Sequence, residues 1–205
     1  MTIADNVLSE LKPLAYAKAR KLVRNGDLLL CSADDPFSKV IRWSTQSPWS
    51  HIAIAYRIDS LDRVMVFEAV TQFGARTVPL SHFIAYTSSG THPYPGKILL
   101  ARDRRMEKLS AAKQKAMYAF AMGCLGDKFA GGEILKIAAR IALGRFDVRM
   151  PRRLGPRDEF ICSEYIARCF DKAGLKIPWD GLGYIAPDDF ALSPDIEAVA
   201  QIRTR

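Results

Sequence analysis

The chain has 205 residues, 49% of them hydrophobic, 25% charged and 10% aromatic. That composition excludes disordered, collagen-like and coiled-coil classes and fits one domain able to bury its own core. Thirty Lys and Arg against twenty-two Asp and Glu leave a net charge of +8. The basic residues are scattered even in the densest stretch, Lys136, Arg140, Arg145, Arg149, Arg152, Arg153 and Arg157, which Asp147 interrupts. A nucleic-acid partner is therefore not expected, because that role asks for a contiguous basic face. No apolar run reaches the length of a membrane span.

In chain order, residues 4–23 read as a helix, with Leu8, Leu11, Leu14 and Ala15 at helical spacing. Asn25-Gly26 is a turn, and Asp27–Cys31 is a short apolar strand. Residues 36–46 form a helix with Pro36 in its first turn, closed by Ser47-Pro48. His51–Ile58 and Arg63–Val70 make the clearest hairpin, turning through residues 59–62. Gly74–Pro79 suggests a further strand, 86–96 a loop, and Lys97–Ala101 another strand. Residues 107–123 read as a helix with Leu109, Ala112, Ala116, Phe120 and Gly123 along one stripe. Residues 132–143 form a basic amphipathic helix, 145–156 an irregular basic stretch, and 159–173 a helix stopped at Gly174. Beyond it, the prolines at 178, 187 and 194 indicate extended or turn-like chain. This order of elements predicts an α+β fold, an antiparallel sheet with packed helices.

Cysteines stand at 31, 124, 162 and 169, with no CxxC pair. Neither a zinc ribbon nor a thioredoxin motif is encoded. No metal ligand spacing and no phosphate-cradling glycine loop is legible, so no cofactor is expected. The first residues, MTIADNVLSELKPLAYAKARK, lack a secretory pattern, and a cytoplasmic protein with reduced thiols is expected.

One helix carries the chemical signal. Cys162, Tyr165, Ile166, Cys169, Phe170 and Ala173 form its apolar stripe. Cys162 lies near the helix N-terminus, where free N–H groups and the dipole favour a thiolate. Cys169, two turns on, reads as inert core. A free cysteine on an apolar stripe is more often structural than reactive, so a base must be found.

His82 and His92 sit in polar context. His51 opens an apolar strand, well placed to face a cleft. Counting back from the 59–62 turn pairs 58 with 63, 53 with 68 and 51 with 70. One face then carries His51, Ala53, Ala55 and Arg57, against Val70, Glu68, Val66 and Val64. Glu68 is the only acid in RVMVFEAV and falls diagonal to His51. A slip of one residue would turn it to the opposite face. Ala53 and Ala55 leave room on that face for a packed helix, that of Cys162 among the candidates. An unpaired carboxylate there is costly to bury, and a histidine would resolve the cost. Cys162, His51 and Glu68 thus make a candidate Cys/His/Glu triad: nucleophile, base, and the group that orients the base.

The same residues carry a family resemblance. NGDLLL, FSKVIRWSTQSPWSHIAIA, VFEAV, EFICSEYIARCFDKAG and APDDFALSP, in that order, resemble the circularly permuted papain-like hydrolases of the NlpC superfamily, YiiX/YebB-type branch. The resemblance runs over about residues 26–195. It implies a permuted papain-like fold with a barrel-like antiparallel sheet, and Cys162, His51 and Glu68 as the catalytic residues. The implied activity is a cysteine hydrolase cleaving a peptide- or isopeptide-like amide through a thioester. Two alternatives stand: a lipid acyltransferase or thioesterase with the same triad, and an inactive binding module in which Glu68 points away from His51. In this division 1–205 is one domain, with an N-terminal helix over 1–24. Residues 26–124 and 159–195 are the hydrolase core. The basic insertion 125–158 reads as a lid, or as a peripheral contact with an anionic membrane. Peptide-like or acyl-amide substrates are the expected partners.

Overall fold

The computed structural model describes residues 3, 6–85, 93–129, 159–178 and 185–204. The expected helix 132–143, the irregular stretch 145–156, residues 86–92 of the expected loop and His92 lie outside these residues.

The fold is α+β, built on a six-stranded antiparallel sheet. Its strands are β1 (Leu28–Ala33), β2 (His51–Ile58), β3 (Arg63–Val70), β4 (Gly74–Pro79), β5 (Gly96–Asp103) and β8 (Ile196–Ile202), in the order β4-β3-β2-β1-β5-β8. A small parallel pair joins β6 (Lys128–Phe129) to β7 (Glu159–Phe160). β1 is apolar without alternation because it lies inside the sheet and all six of its residues are buried. No helix among the described residues is long and apolar enough to cross a membrane.

Helices cover both faces. On one lie α1 (Val7–Glu10), α5 (Ala111–Gly123), α6 (Cys162–Lys172) and α7 (Pro187–Leu192). They pack Leu8, Met117, Tyr165, Ile166, Phe170 and Phe190 onto Leu28, Leu30, Ile52, Ile54 and Phe67. On the other, α2 (Tyr16–Leu22) and α4 (Leu80–Ala85) cover Leu29, Cys31, Ala53, Ala55, Val64 and Val66. The remaining α-helix among the described residues, α3 (Pro36–Thr45), bridges β1 and β2 and is capped by Asp35, which accepts from the Ser38 N–H at 3.0 Å.

The single N-terminal helix expected over 4–23 is instead two. Pro13 cannot donate to a helix and disfavours helical geometry at Lys12. Leu14 takes up the break by bridging to β8, donating to Gln201 O and accepting from the Arg203 N–H, both at 2.9 Å. The chain thereby rounds the β8 edge, and α1 and α2 serve opposite faces.

Three further expectations change. The buried stripe of α5 is Met117, Tyr118 and Ala121, while Ala112 and Ala116 are exposed. Tyr118 turns inward because its hydroxyl accepts from the Gly26 N–H and donates to Ala55 O, each at 2.6 Å. The terminal segment forms α7 and β8, so the sheet runs beyond residue 195. The helix of Cys162 begins at Cys162 itself, because Glu159 and Phe160 are strand residues paired with Lys128 and Phe129.

Candidate active site

His51 is the first residue of β2, and the preceding loop holds it in place. The Ser50 N–H donates to Cys31 O at 2.8 Å, and Ser50 Oγ accepts from the Ala33 N–H at 3.0 Å. Trp49 is fully buried, and Ser47 Oγ donates to Asp188 Oδ1 at 2.6 Å, tying the loop to α7. His51 itself pairs with Cys31 across β1 and stacks on Phe83 of α4, ring centroids 6.4 Å apart.

The hairpin forms in the expected register, Ile58 with Arg63 through Ile54 with Phe67. Beyond Ile54 the two strands stop pairing with each other. β2 continues along β1 to Cys31 and His51, and β3 along β4 to Val70 and Gly74. In the space where they part, Glu68 Oε2 lies 2.8 Å from His51 Nε2. Glu68 is 2% exposed. Its other oxygen, Oε1, accepts from Arg76 Nε at 2.8 Å and Nη2 at 2.7 Å.

Cys162 is the first residue of α6 and is buried. The helix is anchored behind it by Ser163 Oγ, which donates to Ile185 O at 2.5 Å, and by Tyr165 Oη, which donates to Ala121 O at 2.8 Å. α6 packs over Ile52, Ile54 and Phe67, not on Ala53 and Ala55 as considered from the sequence. The two alanines lie under Leu80, Phe83 and Ile84 instead. Their small side chains admit α4, and α6 takes the face bearing the larger isoleucines. Cys162 therefore meets His51 at the sheet's end, where the strands have separated.

The electrostatics link the three groups. Burial alone would raise the Cys162 thiol, but the His51 charge, a hydrogen bond with His51, and the backbone N–H groups of Ile52 and Ser163 bring it below its ordinary value. Burial likewise opposes charge on His51, yet the Cys162 sulfur and Glu68 together raise the imidazole to about 10. Glu68 is held below the usual carboxylate range against its burial, first by His51 and then by Arg76. With Nε2 committed to Glu68, Nδ1 is the ring nitrogen left for the sulfur. The arrangement favours a thiolate beside an imidazolium.

The other cysteines are free thiols and differ in kind. Burial pushes Cys31 and Cys169 well up, and Cys124 to about 11. Cys169 is core, as its place on the stripe predicts. His82 is exposed on α4.

Arg76 was not singled out from the sequence. Its signal was present in the second hairpin: a turn at 71–73 pairs Val70 with Gly74 and sets Arg76 opposite Glu68. Reading only the first hairpin leaves that partner out.

No family model matches the chain, and no curated protein does. Among solved structures it is similar to that of the metalloprotein YiiX from Escherichia coli O157:H7, with a TM-score of 0.60 and 18% identity over 86% of this chain and 96% of the other. The likeness is one of architecture: this chain has a YiiX-like fold.

Proposed function

We propose that this protein is a cysteine hydrolase of permuted papain-like type, cleaving an amide bond through a thioester. The observation that carries the reading is His51, hydrogen-bonded to buried Cys162 on one side and 2.8 Å from buried Glu68 on the other. His51 takes the thiol proton, and the sulfur attacks the carbonyl carbon. The oxyanion is received by the Cys162 N–H, which at the first position of a helix has no intrahelical acceptor. His51 then returns the proton to the leaving amine as the C–N bond breaks. A water, deprotonated by His51, cleaves the thioester and restores the thiol. The inactive-module alternative required Glu68 to turn away from His51; the 2.8 Å contact argues against it.

YiiX is described as a metalloprotein. The donors here do not suit a cation. Glu68 spends one oxygen on His51 and the other on the Arg76 guanidinium, which would repel a metal. Among the described residues no three His, Cys, Asp or Glu side chains are grouped to ligate one. No step is routed through a metal.

A lipid acyltransferase or thioesterase uses the same triad. The observation favouring that substrate is a stripe of exposed apolar residues on α3, Phe37, Val40 and Trp43. Co-sedimentation with anionic and neutral vesicles checks it. Loss of binding in Trp43→Ala supports an interfacial substrate, and absence of binding by the unaltered chain leaves the amidase reading.

The hydrolase reading is tested by iodoacetamide labelling of the folded chain between pH 5 and 9, with the modified cysteine mapped by mass spectrometry. Preferential modification of Cys162 at pH 6–7 is expected. Equal or slower reaction than Cys124 sinks the nucleophile assignment.

A further inference from the structure

The inference concerns Arg76 and rests on the hydrolase reading. A carboxylate that orients a histidine must stay ionised and keep one rotamer. Burial works against the first and side-chain freedom against the second. Glu68 is buried, and its two oxygens are divided: Oε2 to His51 Nε2 at 2.8 Å, Oε1 to Arg76 Nε and Nη2 at 2.8 and 2.7 Å. Arg76 is itself placed by strand register opposite Glu68, and its guanidinium lies over the Phe73 ring, 5.1 Å from the centroid. A fork donating twice to one oxygen leaves the other oxygen a single direction, toward His51.

We propose that Arg76 is the positioning residue of the His51–Glu68 pair: it holds the Glu68 carboxylate aimed at His51, and its positive charge limits how far Glu68 can raise the basicity of His51. The sign follows from the charges. Glu68 stabilises the imidazolium, and Arg76 opposes it by partly neutralising that carboxylate. Removing Arg76 should therefore raise the His51 midpoint, and removing the Glu68 charge should lower it. Among the described residues, the other groups near the pair are Cys162 from α6, Cys31 from β1 and Tyr94 ahead of β5, with uncharged Phe83 from α4. Burial raises the titration of both Cys31 and Tyr94, so they are neutral in the range of interest.

The test is NMR titration of the histidine-labelled 205-residue chain. It is run in a Cys162→Ala background, which removes the sulfur's contribution and makes the readout independent of catalysis. Arg76→Met should move the His51 midpoint up by about one pH unit, the effect of one nearby charge in a partly buried site. Glu68→Gln should move it down. Arg76→Lys keeps the charge and should leave the midpoint in place. Should Arg76→Met not fold, Arg76→Gln removes the charge while keeping a donor on Oε1 and should give the same upward shift. A midpoint that does not move, or that falls, on losing the Arg76 charge overturns the proposal. A Cys162 that fails to label in the unaltered chain sinks the hydrolase reading instead, whatever His51 does.

Discussion

His51 and Glu68 meet at 2.8 Å beyond the last residues that their two strands pair, Ile54 and Phe67. The hairpin keeps them in phase, so both side chains leave the same face. The separation of the strands then lets a third element, the start of α6, reach the histidine. Register supplies two members of the constellation and strand divergence admits the third.

That dependence of sulfur on imidazole predicts the behaviour of His51→Ala. The main influences lowering the Cys162 thiol come from His51. Carboxymethylation of Cys162 at pH 6.5 should slow by about 10²-fold, the scale of general-base assistance. Labelling rates of the two folded proteins, matched by circular dichroism, make the comparison. Equal rates mean that the thiol owes nothing to the histidine.

Stability should follow the charges with a definite sign. Glu68 titrates below its ordinary 4.5 in the folded state, so its contribution is present above pH 4.5 and is lost as pH falls through the folded value. His51 is raised from 6.5 to about 10, so its contribution is complete below 6.5 and disappears as pH rises through 10. Glu68→Gln leaves Arg76 without its counter-charge and should cost about 2–4 kcal/mol at pH 7. Urea unfolding of both chains from pH 3 to 8 should show that cost shrinking below pH 4.5. A pH-independent difference would contradict the assignment of Glu68 as an anion.

Tyr118 offers a test of the frame beneath the site. Its hydroxyl serves two buried backbone groups, Gly26 N–H and Ala55 C=O. Tyr118→Phe keeps the ring and strands both, which should cost about 1–3 kcal/mol in urea unfolding. Carboxymethylation of Cys162 should be unchanged, because α5 meets the sheet away from His51.

Gly74 starts the strand that delivers Arg76. Its φ is +67°, and an added Cβ would lie 1.8 Å from Asp127 O, backbone that cannot easily yield. Gly74→Ala should lower stability by at least about 2 kcal/mol. It should also weaken the Arg76–Glu68 contact, read as a displaced His51 titration. A fully stable Gly74→Ala would mean that the Asp127 segment moves aside freely.

The pattern of residues was enough for the hairpin and its phase, because a four-residue turn between two apolar, β-branched runs leaves few registers, and a slip of one residue would turn Glu68 to the face opposite His51. It also marked the stripe of Cys162, Tyr165, Ile166, Cys169 and Phe170, because helical spacing is a local property. It did not reveal that α6 would cover Ile52 and Ile54 while α4 covered Ala53 and Ala55; both faces of β2 are apolar, and only the volumes of the packing helices choose between them. It did not reveal β8 either, whose alternation is weak and whose place depends on pairing with distant β5. The meeting of Cys162 with His51 was likewise a tertiary decision. It depends on where β2 and β3 cease to pair and on the short β6–β7 contact that sets the start of α6, and no local propensity encodes either one.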